Sequence, residues 1–410
     1  MDAYQSFFAE KLEQLKTEGN YRQFLEVNKS AQHFPNFYYT DEQGTQRSAV
    51  NWCSNDYLGM STREEVIAKM GFVTHRAGAG SGGTRNISGT TNHHRELELT
   101  LANWHNKQAA LVFNGAYAAN MATLQTIGRA MPELVFFSDE RNHASLIEGM
   151  RAAGNKKIIF RHNDAAHLES LLEELPLDTP KMIVLESVYS IKGTTAPLHQ
   201  MAHLAKKYRA LSYVDEVHAV GMYGATGAGM LEQEGLSDAF DIVNGTLSKA
   251  IGVYGGYIAS SAVLVDFIRS FGSGFIFTTS LPPAICSAAQ KSIELIRKEE
   301  EMRASFFSNV HALRKSFDDH GINYTPNNTH ITSIKIGNAI ACKKIARELL
   351  LKKGVYLQPI NYPTVPKGEE CLRIVCTSRH LPKHINQLTA ALVSCLPTNT
   401  VHSIPRELTV

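Results

Sequence analysis

Between position 109 and about 260 the chain alternates short apolar runs with stretches of helical spacing. The runs are AALVF (109–113), ELVFF (133–137), KIIF (157–160), MIVLE (182–186), LSYVD (211–215), FDIVN (240–244) and GGYIA (255–259). Unbroken apolar runs of this length predict strands buried on both faces. Their alternation with polar and helix-forming residues predicts a mostly parallel seven-stranded sheet covered by helices, an α/β architecture. In such sheets ligands bind beyond the carboxyl ends of the strands, so chemistry is sought just after each run.

The flanks carry weaker patterns. Residues 1–26 have helical periodicity through Phe7, Phe8, Leu12 and Leu15. Residues 33–58 predict short strands leading into a loop at VNWCSNDYLG, and 285–316 predicts one long helix with Ile293, Leu295, Ile296 and Met302 among many charges. THITSIKI, GVYLQPI and CLRIVC predict antiparallel strands of a smaller C-terminal α/β domain. With 410 residues the chain fits one large domain plus a smaller one. The expected division is an N-terminal segment 1–50, a large domain 51–290, a small domain 291–396 and a tail 397–410.

Composition narrows the function class. A formal charge of +2 and 20% charged residues give no global field for nucleic acid or a membrane, and no apolar run of about 18 residues predicts a spanning helix. Asp2, Glu10 and Glu13 fit neither a secretory nor a mitochondrial leader, so the expectation is a cytoplasmic protein, or else one already processed. The six cysteines form no CxxC pair and no Cys/His cluster of zinc spacing, so no metal is expected and a reducing compartment is. Most of these cysteines read as small buried hydrophobes.

Six segments carry candidate chemistry. Asp215 ends a predicted strand and His218 follows in DEVH. Either alone reads as structural, but an acid at a strand end can also keep the ring nitrogen of pyridoxal phosphate (PLP) protonated. Lys249 stands among small residues in NGTLSKAIG. It is a Schiff-base lysine or a loop lysine reaching for water, and those readings stand even until DEVH, about 34 residues upstream, favours PLP. His143 opens a helix after ELVFF, where it caps or stacks on a ring. Asn114, Gly115 and Tyr117 sit where a helix N-terminus can take phosphate. Gly78, Gly80 and Gly83 match G-x-G-x-x-G and raise a nicotinamide oxidoreductase, but the preceding REEVIAKMGFVTHRA reads as helix where that motif needs a strand. The glycines then let backbone approach a ligand, with Thr84 and Asn86 as polar contacts. Arg373, inside an apolar strand, grips either a substrate carboxylate or an internal acid.

In this order the segments resemble the α-oxoamine synthases, fold-type-I PLP enzymes, from about residue 20 to 396. WCSNDYLGM, GAGSGGTRNISGT, NHASLIEGMR, YVDEVHAVGMYG, NGTLSKAIGVYGG, GFIFTTSLPP and QPINYPTVP carry the resemblance. The glycine loop and NYPTVP resemble the branch that makes 5-aminolevulinate from glycine and succinyl-CoA. Sister branches make 2-amino-3-ketobutyrate or 8-amino-7-oxononanoate. The resemblance implies that Lys249 holds PLP covalently and transfers protons, that Asp215 pairs with its ring nitrogen, and that His143 stacks on the ring. It places His218 and Ser190 at the phenolic oxygen, and Asn114, Gly115, Tyr117 and Thr246 around the cofactor and its phosphate. Thr278 and Thr279 would reach that phosphate from the neighbouring subunit of a homodimer. Arg373 would bind the glycine carboxylate with Asn55 nearby, and Arg22, Thr84 and Asn86 the succinyl carboxylate. Ser138, Lys157 and Thr364 would line the path of acyl-CoA and substrate. One segment departs: SVYSIKGT stands where the family usually has SVYSMDGD, so Lys192 and Thr194 replace two acids.

Overall fold

The computed structural model describes residues 2–397 and 400. They form two compact units. One comprises Leu58–Ser190 and Thr194–Arg303; the other comprises residues 2–57, 191–193 and those from 304 onward.

The first unit is built on the seven apolar runs. They form β1 (Ala109–Phe113), β2 (Val135–Asp139), β3 (Lys157–Phe160), β4 (Lys181–Glu186), β5 (Leu211–Asp215), β6 (Ile242–Thr246) and β7 (Gly256–Ser260). The sheet order is β1-β7-β6-β5-β4-β2-β3, and only β7 runs against its neighbours. Every residue of β2, β4, β6 and β7 is buried, which is why these strands read as continuous rather than alternating apolar runs. On one face Phe136, Met182, Val184, Tyr213 and Ile242 pack with Leu124 and Ile127 of helix Ala116–Ala130 and Leu146 and Met150 of helix Ala144–Ala153.

The second unit contains two small sheets. Asn36–Thr40 and Gln46–Asn51 pair antiparallel, and Thr332–Lys335, Cys371–Ile374 and Pro359–Ile360 form a three-stranded antiparallel sheet. Three expectations change here. The N-terminal helix ends at Thr17, not near 26, and Phe7, Phe8, Leu12 and Leu15 are exposed. The chain turns at Gly19 (φ +73), where an added Cβ would meet Ile340 Cγ1 at 2.8 Å. The 285–316 helix is two helices, Pro283–Lys298 and Glu300–Asp319, broken at Glu299 (φ −104, ψ 78) within a charged run that holds no glycine or proline. GVYLQPI splits between sheets: Val355–Tyr356 pairs parallel with Gln46–Asn51, and Pro359–Ile360 joins Cys371–Ile374. Between the pieces Gln358 N donates to Cys53 Sγ at 3.1 Å, so a side chain serves the backbone the ladder leaves.

Cys286, Cys342, Cys371 and Cys376 are buried, and burial pushes the thiols of Cys286, Cys342 and Cys376 up to about 12. Among the described residues no helix is long and apolar enough to cross a membrane, and no His/Cys/Asp/Glu group could hold a metal ion. The 397–410 segment, Pro397 and Thr400 apart, lies outside the described residues.

Candidate active site

In the sheet unit the chemistry-bearing residues follow the carboxyl ends of the parallel strands. Beyond β1, Gly115 caps helix Ala116–Ala130, and a Cβ built on it would meet nothing within 4 Å, so space lies open before the helix N-terminus. Asn114 Nδ2 donates to Thr279 O at 2.9 Å. Beyond β2, His143 caps helix Ala144–Ala153 by accepting from Ser145 N. The half-exposed Tyr117 ring stands edge-on to His143 with centroids 6.3 Å apart. Burial holds the His143 imidazole below its usual pKa; the Asp215 charge opposes that shift and the Lys249 charge adds to it.

Asp215 closes β5 and is buried. Its Oδ2 accepts from Asn120 Nδ2 at 2.7 Å and its Oδ1 from Val217 N at 2.9 Å. Lys249 Nζ lies 2.8 Å from His218 Nε2. Thr246 Oγ1 lies 2.7 Å from Ser248 Oγ and 3.2 Å from Gly255 O, closing the turn that presents Lys249. Ser190 lies beyond β4 in a hairpin closed by Tyr189 N donating to Thr194 O at 3.0 Å.

The glycine loop follows helix Glu64–Ala77, so the strand–turn–helix setting of a dinucleotide site is absent. The loop instead packs on the segment holding Thr278 and Thr279. Thr84 bridges Thr279, and Ser280 Oγ donates to Gly89 O at 2.7 Å. Thr84 Oγ1 donates to Asn86 Oδ1 at 2.6 Å, and Thr278 Oγ1 donates to Gly274 O at 2.7 Å. Ser138 is buried against Asn142, whose Nδ2 donates to it at 3.0 Å. Lys157 begins β3 and is half-buried.

In the other unit Arg373 Nη1 donates to Asn55 Oδ1 at 3.0 Å and Nη2 to the Tyr57 hydroxyl at 3.2 Å. Arg22 Nη2 reaches Thr364 Oγ1 at 3.5 Å, a weak contact. Lys192 is ion-paired with Glu369 at 2.9 Å, both partners about one-third exposed. In the sheet unit, Thr194 Oγ1 lies 2.8 Å from His162 Nε2, whose Nδ1 lies 2.9 Å from Asp139 Oδ1. Lys192 and Thr194 thus each have a partner in place.

Three partner residues of this constellation carry no chemistry that the sequence points to. Asn120 holds Asp215, Tyr57 holds Arg373, and Glu186 accepts from His143 N at 2.6 Å. The available signals were slight: a lone amide in the small-residue helix AYAANMA, and a tyrosine beside Asn55. Burial, reinforced by the Asp215 charge, holds the Glu186 carboxyl well above the usual range.

Glu216 has a different role. Its Oε2 accepts from Ser187 Oγ at 2.7 Å and Met230 N at 3.1 Å, and its Oε1 from Leu231 N at 2.8 Å. Burial pushes this carboxyl up to about 7, against those donors. The folded state therefore holds the proton more tightly than the unfolded state. That stability is fully present below the ordinary value of 4.5 and is lost as pH rises through about 7. Glu216→Gln is expected to flatten the fall of Tm across this window, a differential on the order of a few kcal/mol. Calorimetry from pH 4.5 to 7.5 checks this, and an unchanged slope would refute it.

A profile of the family "Aminotransferase class I and II" matches residues 47–392. 5-Aminolevulinate synthase of Paracoccus denitrificans is 46% identical over 400 residues, covering 95% of this chain and 96% of that protein. The chain belongs to the 5-aminolevulinate synthase family. The Rhodobacter capsulatus 5-aminolevulinate synthase is 45% identical over 383 residues, covering 93% of this chain and 94% of that one. The erythroid-specific, mitochondrial enzyme of Opsanus tau is 46% identical, with 95% of this chain matching 68% of its length. Among solved structures, serine palmitoyltransferase from S. paucimobilis with bound PLP and myriocin superposes with a TM-score of 0.87 at 28% identity, covering 96% of this chain and 97% of that one.

The cofactor of 5-aminolevulinate synthases is PLP, and the residues present fit it. A buried carboxylate held by two N–H donors suits a cationic ring nitrogen, and the open space before Gly115 suits a phosphate at a helix N-terminus.

Proposed function

We propose that the protein condenses glycine with succinyl-CoA to give 5-aminolevulinate, CoA and CO2. Near-full-length 46% identity to 5-aminolevulinate synthases supports the reading most strongly. The bond formed joins the glycine α-carbon to the thioester carbonyl. The bonds broken are a glycine α-C–H, whose proton is matched by one taken up by the departing CoA thiolate, the thioester C–S bond, and the bond to the glycine carboxyl, which leaves as CO2 and is replaced on the α-carbon by a proton from solvent.

Bound PLP supplies an electron sink for the pair left on the glycine α-carbon. Lys249 tethers it and moves the α-proton, with His218 at 2.8 Å orienting the amine. Asp215 would hold the proton on the ring nitrogen, and the His143 imidazole, whose pKa is lowered by desolvation, would lie against the ring. Ser190 and His218 would meet the phenolic oxygen, and Asn114, Gly115, Tyr117 and Thr246 would surround the cofactor and its phosphate. Thr278 and Thr279 act across a homodimer. Exposure of Phe277, next to Thr278, and of Ile87, in the loop bridged to Thr279, each 81%, supports such a contact. The free thiols support a cytoplasmic setting.

Arg373 receives the glycine carboxylate on a guanidinium already oriented by Asn55 and Tyr57. Arg373→Ala is expected to raise KM for glycine about 10- to 100-fold, the loss of a charge-assisted pair. Steady-state kinetics in glycine checks this, and an unchanged KM would remove Arg373 from the role. Arg22, Thr84 and Asn86 take the succinyl carboxylate, with Ser138, Lys157 and Thr364 along the acyl-CoA path.

The deciding experiment is an assay of glycine against a panel of acyl-CoAs with products identified by mass. Succinyl-CoA should exceed acetyl-CoA by at least about a hundredfold in kcat/KM, because the shorter acyl group leaves Arg22 without its counter-charge. Equal turnover of acetyl-CoA would instead assign the ketobutyrate-forming branch.

A further inference from the structure

Behind Asp215 runs a chain of buried hydrogen bonds that ends at the exposed His143. The Tyr213 hydroxyl lies 2.6 Å from Asn120 Oδ1. Asn120 Nδ2 lies 2.7 Å from Asp215 Oδ2 and 2.8 Å from Ser145 Oγ. Ser145 Oγ in turn lies 2.8 Å from His143 Nδ1. Asn120, Ser145 and Tyr213 are each 1% exposed or less, so water does not compete for the three bonds that Asn120 makes.

Donor and acceptor capacity fixes the direction of every bond. The buried Tyr213 keeps its phenolic proton, since burial raises that group well above its usual range, and donates it to Asn120 Oδ1. Both hydrogens of Nδ2 are then committed, one to Asp215 and one to Ser145. The flipped amide would set its oxygen against the Asp215 carboxylate. Having accepted from Asn120, the Ser145 hydroxyl still has its own hydrogen to direct to His143 Nδ1, and the backbone contact decides that it does. That nitrogen also accepts from Ser145 N at 3.2 Å. Nδ1 is therefore an acceptor, and the proton of the neutral imidazole sits on Nε2.

We propose that Asn120 is a positioning residue for this reaction, a single amide that orients the Asp215 carboxylate and, through Ser145, sets the tautomer of His143. The helix that carries Asn120, Ala116–Ala130, is also the one whose N-terminus faces the open space at Gly115, so anchor and phosphate end share one rigid element. Val217 N holds the second Asp215 oxygen, which leaves Asn120 to select the rotation of the group about that bond. The inference rests on PLP lying at Asp215.

The test compares Asn120→Leu, Tyr213→Phe and Asp215→Ala with the wild type. The readouts are PLP dissociation constant by fluorescence titration, absorbance of the holoenzyme against pH, and the ¹⁵N resonances of His143. Asn120→Leu should weaken PLP about tenfold, the scale of one lost charge-assisted hydrogen bond. It should also shift the pH midpoint of the absorbance and move the His143 Nδ1 resonance, with far-UV circular dichroism unchanged. Tyr213→Phe should shift the same readouts less. If Asp215→Ala weakens PLP but Asn120→Leu leaves affinity within about twofold and the resonance unmoved, the inference is overturned and the cofactor placement stands. If Asp215→Ala also changes nothing, the placement itself is overturned. Should Asn120→Leu fail to fold, Tyr213→Phe decides: a shifted Nδ1 resonance supports the inference, and an unmoved one overturns it.

Discussion

Lys249→Ala is expected to lower kcat by about 10⁴-fold or more, because in the proposed reaction it removes both the covalent tether and the proton-transfer group. PLP should still bind through Asp215 and the phosphate end, with its absorbance band displaced. Lys249→Arg makes the argument sharper. Arginine keeps the positive charge beside His218 but does not release a proton near neutrality, so it should be nearly as inactive as alanine. Steady-state turnover with a parallel PLP titration checks both variants. Arginine at a tenth of wild-type activity or better would show that charge, rather than proton transfer, is what position 249 supplies.

The second large effect is at Asp215. Asparagine there keeps the shape and one acceptor but loses the fixed negative charge. Asn120 and Val217 already aim N–H groups at this side chain, so a carboxylate is what the surroundings are built to receive. Asp215→Asn also brings an N–H against one of those donors. The expected loss is about 10²–10³ in kcat, about 3–4 kcal/mol, as for removal of one preorganised electrostatic group. His218→Ala, by contrast, leaves the ring nitrogen's partner in place and should show a smaller kcat loss. Rapid-quench or steady-state kinetics separates the two, and equal losses would mean that Asp215 acts through folding rather than through the ring.

The strands were legible in the sequence because burial on both faces makes them continuous apolar runs, and all seven were found within about two residues of their ends. The helix starts at Ala116 and Ala144 were legible for a related reason: each follows a strand end through a short polar turn. The break at Glu299 was not, since neither glycine nor proline marks it and the chain turns there with Glu299 held by Arg63 at 3.0 Å. Nor was the division of GVYLQPI, which depends on which neighbour each pair of residues finds.

The site separates along the same line. Asp215, Lys249 and His143 announce themselves by position at strand ends. Asn120 does not, because its partner is 95 residues away and only the fold brings them together. The same holds for Lys192 and Glu369, 177 residues apart, where an apparent loss of acid is balanced by an acid from elsewhere in the chain. Periodicity reports which face a residue occupies; it does not report which polar side chain stands opposite.

In the proposed reaction PLP is tethered through the ε-amine at position 249. Borohydride reduction of the holoenzyme followed by peptide mass mapping tests it most directly. A single pyridoxyl-phosphate adduct is expected on the peptide containing Lys249, absent in Lys249→Ala. An adduct on a different lysine, or an unlabelled Lys249 in protein saturated with the cofactor, would contradict it.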